Sequence, residues 1–375
     1  MLDLVALVCA LGLAAVWLVY PLGVAVVAAL RTPRSREQDG VSLHPSVSVV
    51  LATRESPDIV RARVEDLLAS ESIDAVNEVV VALDRNRRGG AGDEFAMLDH
   101  RVVVVWADEP GGKAAALNAG VRAASGQMLV FADSHQRFHP AAIARLGRAF
   151  ADPEVGAASG SLELATPEGP RSPVEWYWRF ERWLRRAEAR IHSTVGVTGA
   201  IHAVRRSLWQ PLPAGLILDD VFIPMRVVLA GSRVAFVEGA VAVETRRPTS
   251  TQEYHRKVRT LTGNFQLCAW LPNLLIPWRN PIWLQFLFHK LLRLLTPWLV
   301  LGVVVWLVVT GIRWTGAGFP ERFLVLALPA LLVPLLMPTL ARSLRSALYQ
   351  GFLMQIAVVA ATLNGLRGRW DVWAR

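Results

Sequence analysis

Between Asp3 and Leu30 the chain is apolar, broken only by Pro21 and two glycines. At about 1.5 Å per residue, that is helix enough to cross a hydrocarbon core of about 30 Å. No basic residue precedes the run and Arg31, Arg34 and Arg36 follow it, the reverse of a signal peptide's flanks. The pattern therefore predicts an uncleaved membrane anchor over 1–30 with the following residues on the cytoplasmic side. Residues 31–45 read as a linker. Toward the other end, Thr296–Ile312, Phe323–Leu340 and Leu348–Leu366 are again apolar and predict transmembrane helices within 296–366, followed by a basic tail over 367–375. Four spans from an outside start would leave that tail outside, against its charge. Either the rule is broken here, or one of the last three segments lies in the interface or re-enters. Residues 269–295 predict interfacial helices, with His289, Lys290 and Arg293 facing lipid.

Over 46–268 the pattern changes to short β-branched runs, "SVSVVLAT", "NEVVVALD", "RVVVVWAD" and "QMLVFAD", with helical periodicity at Pro57–Ala69 and Gly112–Ala124. Strands that are apolar throughout and alternate with helices predict an α/β fold with a mostly parallel sheet covered on both faces. In such sheets ligands bind beyond the carboxyl ends of the strands. Three of the four runs end at or beside an acid: Asp84, Asp108 and Asp133. Further on, Trp176, Phe180, Trp183 and Leu184 recur at helical spacing among arginines. That suits a helix lying on the membrane surface, or one whose tryptophans hold an acceptor.

Composition adds a constraint on partners. The 375 residues are 53% hydrophobic with a net charge of +9 and a mean hydropathy of +0.34. The arginines lie mainly beside apolar segments, so anionic lipid is the expected partner and nucleic acid is not. Cys9 and Cys268 sit in apolar surroundings far from metal-ligand spacing, and are expected to be inert.

Several carboxylates on one rim repel one another unless a cation or hydrogen-bond donors are bound there. In "ADSHQ", Asp133 and His135 stand on one side of an extended chain and can reach a single ion; a carboxylate with an imidazole suits manganese or a similar cation better than calcium. The alternative is a turn-capping Asp133 and a solvated His135. Before it, "EPGGKAAALNAG" places Lys113 in the first turn of a helix and Asn118 one turn later. It is not a Walker loop, since Ala107 and Ala114 occupy positions that need Gly and Ser or Thr, but a helix start with a lysine still attracts a diphosphate.

Seven motifs, "VSVVLATRES", "VVVALD", "GGKAAALNAG", "GQMLVFADSHQRFHP", "TGAIHAVRRSLW", "ILDDVFIPMRVVLAG" and "RKVRTLTGN", stand in the order and approximate spacing of the membrane-bound family 2 glycosyltransferases, the group of cellulose, chitin and hyaluronan synthases. The chain resembles that group over about Val47 to Gln266. The resemblance implies a GT-A nucleotide-diphospho-sugar transferase domain, an inverting reaction, a divalent metal (Mn or Mg) and a nucleotide-sugar donor, expected to be a UDP-sugar. It also implies roles. Thr53 and Glu55 would approach the nucleotide, Asp84 would bind the uracil and ribose side, and Lys113 and Asn118 would frame the diphosphate. Asp133 and His135 fall on the metal-binding DxD motif, His135 where Asp or Asn is usual. Asp220 falls on the catalytic base, with Asp219 beside it in place of Glu, and Gly199 and Ala200 on the acceptor-side wall. Arg256 and Arg259 match the phosphate-gripping region, but Thr260 replaces the tryptophan on which processive synthases stack the growing chain; Phe265 or Trp270 could supply such a face.

The expected protein is thus a multi-pass enzyme of the inner (plasma) membrane with a cytoplasmic catalytic domain, passing a sugar to a lipid-linked or nascent glycan acceptor. A processive polysaccharide synthase with a secretion channel and a non-catalytic transferase-like scaffold subunit are the alternatives.

Overall fold

The computed structural model describes residues 1–31, 45–70, 76–85, 92–165, 173–246, 250–315 and 338–372. The predicted linker, apart from its ends, and the predicted span Phe323–Leu340, apart from its last three residues, lie outside them.

Eight strands form one sheet: β1 (Val47–Thr53), β2 (Val76–Leu83), β3 (Val102–Trp106), β4 (Met128–Ala132), β5 (Gln136–Phe138), β6 (Val155–Leu164), β7 (Ile201–Arg205) and β8 (Arg233–Glu244), in the order β3-β2-β1-β4-β7-β6-β8-β5. The β3-β2-β1-β4 half is parallel throughout. Beyond β4 the sheet is mixed: β7 runs antiparallel to both β4 and β6, β6 is parallel to β8, and β5 is antiparallel to β8. The expectation of a mostly parallel sheet therefore holds for the first half and not for the second.

The continuous apolar runs are explained by cover on both faces. Side chains alternate along a strand, so Val49, Leu51, Val79 and Val81 pack with Val60, Val64 and Leu67 of α2 (Pro57–Leu68). Val50, Val80, Leu129 and Phe131 turn to the other face, against Ala114, Leu117 and Val121 of α3 (Lys113–Ala123). These strand residues are at most 2% exposed, and each contributes about 1.5–3 kcal/mol on burial. On that second face Phe131 also stacks on His202 (4.9 Å) and Trp209 (5.3 Å).

Helices α4 (Ala142–Ala149), α5 (Pro173–Ile191), α6 (Asp219–Leu229) and α7 (Ser250–Trp270) complete the cover. Two helices, α1 (Leu2–Leu30) and α8 (Trp283–Arg313), are long and apolar enough to cross a membrane, and the apolar windows of both are largely uncovered by the rest of the protein. They pack on each other through small residues, Gly12 against Leu299 and Gly302 against Cys9. Trp17 and Trp306 donate across the pair to Thr296 (3.1 Å) and Asp3 (2.7 Å). The last helix, α9 (Pro338–Leu366), receives Phe265 of α7 against Gly365, and Trp270 meets Phe222 edge-on (6.5 Å), so both aromatics serve packing.

The expectation that His289 and Arg293 face lipid is overturned. His289 does not face lipid: it is 2% exposed and lies between two buried acids of α5, Nδ1 at 2.8 Å from Glu188 and Nε2 at 3.0 Å from Glu181. Arg293 pairs with Glu181, and Tyr20 of α1 donates to Glu188 (2.5 Å). Leu184 and Ala187 of α5 likewise pack on Val24 and Ala28 of α1, while Trp176 stays exposed. Desolvation alone would force these acids neutral, so pairing with His289 and Arg293 is the condition for burying them as ions. His289 and Arg293 stand four residues apart, Glu181 and Glu188 seven, which puts each pair on one helix face. That spacing was the available signal.

Candidate active site

Because β1, β2 and β4 are parallel and in register, Thr53 beside Leu83 and Leu51 beside Ala132, their carboxyl ends bring Thr53, Asp84 and Asp133 to one rim. Asp84 is buried; its backbone N–H donates to the Thr53 carbonyl and its Oδ1 accepts the N–H of Gly112, both at 2.9 Å. Gly112 has φ +90°, a conformation that demands glycine, and it starts α3 so that Lys113 points along the rim. Asp108 is not part of this rim: it turns outward to Arg122, both more than half exposed.

Lys113 ties the two halves of the site together. Its Nζ lies 3.3 Å from Asp133 Oδ1 and 3.0 Å from Asp219 Oδ2, where Asp219 opens α6. Burial pulls the ammonium pKa down, but Asp133 and Asp219 more than offset this and raise it. The same contact separates the two adjacent acids. Burial would raise the Asp219 carboxyl, yet Lys113 holds it below its ordinary value. Asp220 is raised, first by burial and then by the charge of Asp219. Neighbouring acids pushed in opposite directions are the arrangement in which one stays ionised and the other can take a proton.

The surroundings of Asp220 are small and rigid. The Asp220 carbonyl accepts the N–H of Val197 (2.8 Å), and a Cβ at Gly199 would sit 3.6 Å from Asp220 Oδ2, so Gly199 lines its carboxylate. Ala200 is buried in the core behind. Thr198 is braced by Ser159 and receives a bond from Arg185 (3.2 Å). Arg259 of α7 faces the same acids: burial lowers its pKa, and Asp220 and Asp219 counter the shift. Arg256, three residues earlier, turns outward and pairs with Glu253 (2.7 Å). Asn118 spends both ends of its amide on the backbone of Leu212, donating at 2.9 Å and accepting at 2.8 Å, and so positions that loop.

At the Asp133–His135 turn, the Ser134 hydroxyl donates to Thr53 Oγ1 (2.8 Å), which also accepts the Glu55 N–H (3.1 Å). This brace brings His135 Nε2 to 3.1 Å from Glu55 Oε1, out of line for a hydrogen bond, and the nitrogen is shielded from solvent. The Asp133 carbonyl accepts from Nε of Arg63 (3.0 Å), a fully buried arginine lying over the Phe138 ring. Among the described residues, no three His, Cys, Asp or Glu side chains gather tightly enough to cage an ion alone.

Sequence reading passed over Arg63 and His202. His202 is 1% exposed with neither ring nitrogen in a hydrogen bond, and burial takes its pKa down to about 4 despite nearby Asp219. Inside an apolar strand, nothing local distinguished it from a packed aromatic.

Residues 44–263, which contain every site residue named above, match the model of the family described as "Glycosyltransferase like family 2". An N-acetylglucosaminyltransferase from Rhizobium sp. is 26% identical over 239 residues, which are 56% of this chain and 51% of that protein. The chain thus spans about half the length of this curated relative. A solved structure, the mannosyltransferase PcManGT from Pyrobaculum calidifontis in complex with GDP-Man and Mn2+, is 20% identical over 98% of this chain and 99% of its own, with a TM-score of 0.67. With its strand-end rim of acids, a lysine across it and a family match over more than half its length, the chain belongs to glycosyltransferase family 2 and has the GT-A fold.

Proposed function

We infer that the enzyme inverts the anomeric centre as it passes a sugar from a UDP-sugar, with a divalent metal, to a lipid-linked or nascent glycan acceptor at the cytoplasmic face of a membrane. The observation that carries this is the pair Asp219–Asp220 with Lys113 on the first acid only. Asp220 takes the proton of the acceptor hydroxyl as that oxygen bonds to the anomeric carbon, and the bond from that carbon to the diphosphate breaks. Lys113 and Arg259 bring positive charge to where the departing diphosphate gathers negative charge. Gly199 leaves room for the acceptor against the base. Asp133 and His135 would hold the metal, whose chemistry is to neutralise the diphosphate. The donor set fits: one imidazole nitrogen is shielded and outside any hydrogen bond, carboxylates flank it, and the phosphates would supply the remaining oxygens.

The apolar helices, α8 joined to α5 by buried ion pairs and α1 by the Tyr20–Glu188 hydrogen bond and apolar packing, support a site held against the bilayer. The Rhizobium relative is named for N-acetylglucosamine transfer and the Pyrobaculum structure holds GDP-Man and Mn2+, so the nucleotide is the first thing to test. Calorimetry of UDP and GDP on detergent-purified protein, with and without Mn2+, is expected to give metal-dependent UDP binding that Asp133→Ala abolishes. Binding of GDP alone would replace the donor. Absence of both, with no nucleotide-sugar hydrolysis, would leave a scaffold and overturn the reading.

A further inference from the structure

The geometry points to Glu55 as a protein ligand of the metal, paired with Nε2 of His135, an inference that rests on the metal dependence proposed above. Two donor atoms each about 2.1 Å from one ion and a right angle apart are about 3.0 Å from each other. His135 Nε2 and Glu55 Oε1 are 3.1 Å apart. Their contact is not a hydrogen bond, because the nitrogen is out of line, and it is shielded from water. A shielded imidazole nitrogen without a hydrogen bond is costly unless another partner takes the lone pair.

His289 shows what this chain does when a histidine is meant to pair with acids: both its nitrogens make in-line bonds, at 2.8 and 3.0 Å. At His135 the distance is similar, but the contact makes no hydrogen bond, and the nitrogen keeps its lone pair for another partner. The approach of Glu55 is built rather than accidental. Thr53 Oγ1 accepts from both the Glu55 backbone and Ser134, clamping the loop after β1 onto the turn after β4. Asp133, meanwhile, has one carboxylate oxygen engaged by Lys113. Glu55 and His135 would together hold the ion, so the protein's hold on it would come from two loops and not from the Asp-Ser-His turn alone.

Electron paramagnetic resonance of Mn2+ with the full-length protein in detergent tests this, because free hexaaqua Mn2+ gives a six-line signal that binding suppresses. The titration is run without nucleotide, with UDP and with GDP. Glu55→Gln is expected to weaken Mn2+ at least about tenfold, the lower end of what disturbed metal shells lose, while Glu55→Asp recovers part of the loss. Thr53→Val, which breaks the clamp and leaves both ligands, should weaken it less. Mn2+ affinity unchanged in Glu55→Gln but lost in Asp133→Asn would overturn the inference and keep the metal reading. Wild-type protein that leaves the six-line signal intact under all three conditions would sink both. Glu55 is a third exposed, so its variants are expected to fold, and the thermal midpoint of each is measured alongside.

Discussion

Among the described residues, the joint of α1, α5 and α8 and the strand-end rim each set a histidine beside acids, and they differ in how much is left open. At the joint between α1, α5 and α8, His289, Glu181 and Glu188 are nearly inaccessible, Arg293 pairs with Glu181, and Tyr20 shares Oε1 of Glu188 with His289. At the rim, Asp133, Glu55 and His135 are partly open to solvent, and Lys113 serves Asp133 and Asp219 together. A closed set of charges holds elements together. An open set, in which several acids gather where solvent can reach, is poised for a ligand that brings positive charge or donors.

The largest break in that contrast should come from Asp220→Asn. Losing a general base costs about 10²–10⁴-fold in turnover, and nucleotide binding by calorimetry should persist if Asp220 has the proposed role of base toward the acceptor. If binding falls with turnover, Asp220 is a structural acid. Next is the joint: His289→Ala leaves Glu181 and Glu188 buried without their shared partner, a change worth about 3–5 kcal/mol and visible as a lower thermal midpoint. The matched change at the rim, His135→Ala, should cost less than about 1 kcal/mol of stability and so lower the midpoint less. Equal losses at both would erase the distinction.

A smaller effect concerns pH. Asp220 is raised above its ordinary 3.8, so the acid limb of kcat/KM should lie above that value, with activity rising as the carboxyl ionises. Asp219→Asn removes a charge that raises Asp220 and should shift the limb down; Lys113→Met removes one that lowers it and should shift the limb up. In stability the two acids act oppositely. Asp219, held low, contributes above 3.8 and loses that contribution as pH falls through its depressed value. Asp220, held high, favours the fold at low pH and loses this as pH rises through its raised value. The smallest effect is expected for His202→Phe, which keeps the stack on Phe131 and removes two unbonded nitrogens. Stability should stay within about 1 kcal/mol or rise; a marked fall would give those nitrogens a task.

Much of the site was legible in the chain because strand ends and helix starts are local events. Asp84, Asp133, Lys113 and Asp220 each sit where an apolar run stops or a helix begins. Asp108 looked the same and faces solvent, since the residue after a strand may turn either way. Arg256 and Arg259 fell in one motif, but three residues on a helix are 300° of rotation, and packing of α7 decided which arginine met the acids. Asn118 matched a donor-pocket position and is spent on Leu212, a partner 94 residues away. The mixed half of the sheet was missed because β5 has three residues and β6 is rich in glycine, alanine and serine, so neither shows a strand's periodicity.

By itself the sequence determined the parallel βα half of the domain, the apolar ends, and the order in which acids and lysine follow one another. These depend on side-chain periodicity and on residues adjacent in the chain. Only the tertiary structure decided that Lys113 holds Asp219 and not Asp220, that His289 is enclosed by α5, and that Glu55 meets His135 across 80 residues of chain. Each of these is a contact between side chains on separate elements, and its reach of about 3 Å is finer than any pattern of apolar and polar positions can specify.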